Sequence, residues 1–128
     1  MKNVFTNMCM VYDDDNILVL NRVKKDWPGL TFPGGHVEDG ELFSESVKRE
    51  MAEETGLIIS DVEYVGQIVW PLPKQGINDV ALCYRTKNYT GTIKKSVEGE
   101  VFFIKKSELA NYAHSLDFEK VLALMFKP

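Results

Sequence analysis

The sequence predicts an α/β fold in which a mixed sheet lies between helices. Three observations predict it. Apolar, strand-like runs alternate with two helical stretches along the chain. The connections between them are long enough to cross a sheet. The composition, 45% hydrophobic and 27% charged, is that of a soluble globular protein, and 128 residues suffice for one domain, residues 1–128, with a buried core.

Val4 to Tyr12 is apolar and strand-like. Asp13-Asp14-Asp15-Asn16 supplies turn residues before Ile17 to Leu20, so the two runs read as a hairpin. The aspartates do not form a calcium loop, because the sixth-position glycine and the acidic twelfth ligand are missing. Asn21 to Gly29 is an exposed connection. Leu30-Thr31-Phe32 is a short extended segment ended by Pro33, which has no N–H for a ladder. Gly34-Gly35 and a loop follow. Ser44 is the expected N-cap of a helix to Thr55, and Gly56 its left-handed C-cap. Val62 to Pro71 and Val80 to Lys87 read as strands joined by a loop, Pro71 to Gly76. Val101 to Ile104 is a further strand, and Ser107 to Tyr112 a helical turn. Leu116 to Met125 closes the chain as an amphipathic helix with Leu116, Val121, Leu124 and Met125 on its apolar face.

The net charge of -4 offers no basic footprint for a nucleic-acid polymer, whereas a small anionic substrate is compatible with it once a divalent metal offsets the acidity. Cys9 and Cys83 stand in apolar strands and read as buried core thiols. Lys2 is followed by no long apolar run, so neither a signal peptide nor a membrane span is expected, which leaves the cytoplasm by default.

The densest pattern is GHVEDGELFSESVKREMAEETGL, Gly35 to Leu57. Gly35, Glu41, Arg49, Glu50, Glu53, Glu54 and Gly56 stand in the spacing G-x5-E-x7-R-E-U-x-E-E-x-G-U, with U bulky and apolar. Seven identities at ~6% each recur by chance roughly once in 10^8 starts. On a helix of 3.6 residues per turn, Glu50, Glu53 and Glu54 share an arc of about 100°, beside Val47 and Met51, which anchor the helix on the sheet. Two such charges ~5.5 Å apart repel by about 3 kcal/mol at an effective dielectric of ~20. Arg49 relieves part of this through its i,i+4 pair with Glu53, and a divalent cation would relieve more. Oxygen-only ligands favour Mg²⁺ or Mn²⁺ over zinc.

The spacing resembles the signature of the Nudix hydrolases, which split nucleoside diphosphates linked to another group. The resemblance implies an α/β/α sandwich with a central mixed β-sheet. It implies Mg²⁺, with Mn²⁺ as substitute, bound by Glu50, Glu53, Glu54 and the Gly35 carbonyl. It gives Arg49 the role of orienting a glutamate, with Glu41 and Glu38 in the same network. Glu50 is the expected base toward water, with Glu53 second. A further ligand is expected before the Val101 strand: Glu98, with Glu100 the alternative.

Selection of the substrate lies largely outside this pattern. Arg22 is a candidate for phosphate, with Lys24 and Lys25 behind it. Trp27 and Trp70 are candidates for a base pocket, though packing would also account for them. Gly34 and Glu38 are further substrate candidates, Glu38 being otherwise an exposed loop acid, and His36 is either a phosphate contact or a solvated histidine. Asn78, Asp79, His114 and Asp117 are either base-edge readers or turn and cap residues. The segment WPGLTFPGGHVEDGE resembles the MutT-like branch, which implies hydrolysis of a nucleoside triphosphate, often an oxidised one such as 8-oxo-dGTP, to monophosphate and pyrophosphate. Other readings are hydrolysis of a nucleotide sugar, ADP-ribose or dinucleoside polyphosphate, and a non-catalytic nucleotide-sensing module. Such a module is expected to have lost pattern glutamates, and this chain keeps them all. The expected assembly is a monomer or homodimer.

Overall fold

The computed structural model describes residues 1–128. The chain runs β1 (Lys2–Asp13), β2 (Asn16–Arg22), β3 (Gly29–Thr31), β4 (Gly34–His36), α1 (Phe43–Thr55), β5 (Ile58–Ile59) and β6 (Glu63–Leu72). A 3-10 turn (Pro73–Gln75) leads to β7 (Ile77–Thr86), β8 (Tyr89–Thr90) and β9 (Gly99–Lys105). A second 3-10 segment (Lys106–Asn111) and α2 (Phe118–Met125) complete it.

Alternation along the strands creates two cores. Successive strand residues point to opposite faces. Met8, Met10, Ile17, Val19, Ala81 and Cys83 bury on one face, against Phe118, Val121 and Met125 of α2. Cys9, Val11, Leu18, Leu20, Val80, Leu82 and Tyr84 bury on the other, against Val47 and Met51 of α1. The result is the expected α/β/α sandwich, and the sheet is mixed: β1 pairs parallel with β7 and antiparallel with β4. Cys9 and Cys83 are buried free thiols on opposite faces. Burial raises both pKa values, Cys83 to about 12.

The hairpin β1–β2 is narrower than a ladder over both apolar runs. Only Tyr12 with Ile17 and Asp13 with Asn16 are paired. Beyond that point the strands part. β1 takes β4 and β7 as partners, and β2 takes β3 and β9. The sheet therefore forks.

Several expected boundaries moved. The first helix starts at Phe43 with Leu42 at the N-cap and no side-chain cap, so Ser44 lies inside the first turn. Its C-terminus is as expected: Gly56 adopts φ 82°, and its N–H donates to the Ala52 carbonyl at 3.0 Å. The loop expected over Pro71 to Gly76 is mostly a tight β6–β7 connection, with Leu72 already paired to Ile77. Pro71 is tolerated within β6 because that strand lies at the sheet edge. The last helix begins at Phe118, not Leu116. Asp117 stands at its N-cap with φ 61°, and Leu116 is 68% exposed. No helix is long and apolar enough to cross a membrane.

Candidate active site

The glycine turn and the acidic helix are tied together by a residue that sequence reasoning missed. Asn7 is a buried polar residue in the otherwise apolar centre of β1. Its Oδ1 accepts from the Gly35 N–H at 3.2 Å, and its Nδ2 donates to Ser46 Oγ at 2.9 Å. Ser46 is fully buried on α1 and reaches the His36 carbonyl at 3.5 Å. One amide thus sets the height of α1 over β4. The available signal was an asparagine in the middle of an apolar strand, where an unpartnered amide would be costly.

Arg49 organises the acids. Its guanidinium donates to both oxygens of Glu41, at 2.7 and 3.0 Å, in a bidentate pair. It also donates to Glu50 at 2.8 Å, to Glu53 at 3.2 Å and to the His36 carbonyl at 3.0 Å. Glu38 lies 3.7 Å away and is largely exposed. The expected i,i+4 pair with Glu53 is present, but Glu41 is the tighter partner. Arg49 holds the Glu41 carboxyl down at about 2, helped by the Glu38 N–H, which donates to it. Burial pushes Glu50 the other way. Its pKa is raised, first by desolvation and then by the charges of Glu53 and Glu54, against the lowering effect of Arg49.

Glu54 points to a different neighbour. Ser96 Oγ donates to its carboxylate at 2.7 Å, and the Glu98 N–H donates to the same hydroxyl at 3.1 Å. The loop before β9 is thereby linked to α1, and Glu98 faces the cleft, 3.9 Å from Arg22. Glu100 sits opposite Asn21 in the β2–β9 ladder and is exposed. Nothing in the sequence marked Ser96.

The donor chemistry fits a hard divalent cation. All candidate side chains offer oxygen. A Cβ at Gly35 would collide with the Glu50 carboxylate, so glycine is what lets the β4 backbone approach that acid. No three acidic, imidazole or thiol groups converge on one point, because Arg49 draws Glu50 and Glu53 while Ser96 draws Glu54.

From Gly34-Gly35 a cavity of about 470 Å³ runs into the fork of the sheet. Trp27 and Trp70, 43 positions apart in sequence, meet edge-to-face with ring centres 5.2 Å apart and planes at 79°. Trp70 Nε1 donates to Asp117 at 2.9 Å. The Arg22 guanidinium lies over the Trp27 ring at 5.6 Å and pairs with Asp26 at 3.1 Å. Deeper, Thr6 Oγ1 donates to Asp79 at 2.6 Å. Of the expected substrate residues, Arg22, Trp27, Gly34 and Trp70 line this cavity, and Asp117 stands behind Trp70. Glu38 lies outside it, with Arg49. Lys24, Lys25, Asn78 and His114 do not line it, whereas Asp79 and His36 do. Leu116, expected on the buried face of the last helix, is instead part of the cavity wall.

Comparison with known proteins agrees with this architecture. The NUDIX domain family profile matches residues 3–126. The chain therefore belongs to the Nudix family, whose hydrolases act on pyrophosphate bonds. Among its relatives, the Nudix hydrolase YvcI of Bacillus subtilis is 30% identical over 121 residues, covering 86% of this chain and 75% of YvcI. The NAD-capped RNA hydrolase NudC of Mycobacterium tuberculosis is 42% identical over 69 residues, 52% of this chain. That match spans only 22% of NudC. A mutator MutT protein from Bacillus halodurans superposes with a TM-score of 0.77 at 28% identity, covering 93% of this chain and 78% of the other.

Proposed function

We propose that the protein hydrolyses a nucleoside triphosphate to monophosphate and pyrophosphate with Mg²⁺, for which Mn²⁺ can substitute. The observation that carries this reading is the continuity of two unlike sites: an aromatic cavity opens directly onto the glycine turn beside Glu50. A volume of about 470 Å³ suits one nucleoside, in the usual range for small-molecule pockets. The likeness to the MutT protein of Bacillus halodurans supports the same branch.

In this reading Glu50, Glu53, Glu54 and the Gly35 carbonyl would hold the metal, with Glu98 joining from across the cleft. The cation supplies Lewis-acid stabilisation of the phosphate charge. Trp27 and Trp70 hold the base, and Arg22 meets the phosphate chain at the mouth of the cavity. A water adds to phosphorus, the bridging P–O bond breaks, and pyrophosphate leaves. Glu50 takes the water proton, as a carboxylate beside the glycine turn. Arg49 and Glu41 act as positioning residues. Glu50 and Glu53, which now accept from Arg49, would have to give up those contacts to serve as ligands, while the bidentate Glu41 pair would keep Arg49 in place.

The local identity with NudC favours a second reading, cleavage of another nucleoside diphosphate derivative at the same site. One experiment separates the readings: incubation with Mg²⁺ and normal, oxidised, sugar-linked and dinucleotide substrates, followed by product separation. Monophosphate plus pyrophosphate from a triphosphate supports the first. Turnover confined to the linked nucleotides supports the second. Binding without any turnover overturns both in favour of a sensor.

A further inference from the structure

The cavity holds one acid without a cationic partner. Glu98 and Asp26 face Arg22, and Asp117 takes the Trp70 N–H and lies 3.6 Å from Lys120. Asp79 takes part in no ion pair, and its side-chain partner is the Thr6 hydroxyl. It sits directly opposite Trp70 in the β6–β7 ladder, so the two side chains project from the same face. Its strand, β7, pairs directly with β1, which itself pairs with the Gly34–His36 strand. A nucleotide with phosphates at Gly35 and its base against the tryptophans therefore presents a base edge to Asp79.

We propose that Asp79, oriented by Thr6, is the specificity-determining residue of the cavity and selects a base with two adjacent N–H donors. This rests on the nucleotide reading above and deepens it. An ionised carboxylate only accepts hydrogen bonds, and it accepts them best in bidentate fashion. The Thr6 hydroxyl uses one lone pair and fixes the plane of the group, leaving acceptor capacity on both oxygens. Among base edges, the guanine type carries a ring N–H beside an exocyclic amine, two donors side by side. Adenine and cytosine set a ring-nitrogen lone pair beside their amine, which a carboxylate repels. Uracil and thymine flank a single N–H with carbonyls, and hypoxanthine has the N–H without the amine.

Both tryptophans of the chain stand in this cavity, so intrinsic fluorescence reports binding there without turnover. Titration with dGMP, dIMP and dAMP is the test. The expected result is dGMP binding roughly 5- to 150-fold tighter than dAMP, with dIMP between, the span of one good bidentate pair. Asp79→Asn presents one donor and one acceptor, so its preference should shift toward dAMP; Thr6→Val should narrow the guanine preference without inverting it. Equal affinities for the three nucleotides, absent binding of dGMP, or a guanine preference retained by Asp79→Asn would each overturn the assignment. The dGMP–dIMP difference in the unmodified protein stands without any variant. Base preference with no hydrolysis of any nucleotide would instead overturn the function proposed above and leave this assignment intact.

Discussion

The acidic helix and the aromatic cavity are neighbours built on opposite principles. The acids of the helix site come from one stretch, Gly35 to Leu57, and Glu41, Glu50 and Glu53 are paired within it through Arg49, with Glu54 alone turning outward to Ser96. The cavity draws on β1, β2, β6, β7 and the segment before α2, and its polar groups are paired between segments far apart in sequence, Thr6 with Asp79 and Trp70 with Asp117. The first arrangement ties chemistry to local geometry. The second ties recognition to the packing of the whole domain, so it varies more freely without disturbing the bond-breaking parts.

The strongest way to break this division is Glu50→Gln. We expect turnover to fall by about 10^2–10^4, the range for loss of a general base. Because burial disfavours the charge of Glu50, the neutral variant should melt at an equal or higher temperature at pH 7. A clear drop in Tm would show that the residue is structural. Arg49→Ala comes next: about 10- to 100-fold lower kcat, as for loss of a residue that positions metal ligands, together with a lower Tm because Glu41 loses its bidentate partner. Trp70→Ala should act on the other region, raising KM by roughly 5- to 150-fold while kcat stays near its starting value, in line with 1–3 kcal/mol for a stacked base. An equal loss in kcat would merge the two regions into one.

The smallest effect concerns acid stability. Folded Glu41 titrates at about 2 against an ordinary 4.5, so it binds its proton less readily than in the unfolded chain. Its contribution to stability is complete above pH 4.5 and is lost as the pH falls toward 2. Glu41→Gln should flatten that limb in urea melts taken from pH 5 to 2. An unchanged slope would mean that the bidentate pair does not govern it.

What was legible follows the same boundary. The acidic helix was readable because 3.6-residue spacing places Glu50, Glu53 and Glu54 on one arc, and because Gly56 at φ 82° is a local requirement. Its start was not readable. Ser44 has the right chemistry for an N-cap, yet the entry is set by the Glu38–Glu41 loop and by the buried Ser46, which Asn7 holds from another strand. The layering of the sheet followed from the resemblance and not from periodicity, and the early parting of β1 and β2 was not readable at all, since each strand's longer ladders are with partners far along the chain. Leu116 was misplaced because hydrophobicity carries no record of direction: the chain reverses at Asp117 and turns that leucine to the cavity. Trp27 and Trp70 were candidates separately, and only the fold made them a pair.

The fork has a mechanical consequence. With β1 and β2 joined at two residue pairs beside the Asp14 turn, the walls of the cleft belong to separately hydrogen-bonded ribbons. A second tie lies at the other end: only Phe32 and Pro33 separate β3 from β4, and the Cys9 N–H donates to the Pro33 carbonyl at 3.0 Å. The backbone is thus a frame braced at two corners, and the fit of a guest inside it is left to the side chains that line the opening.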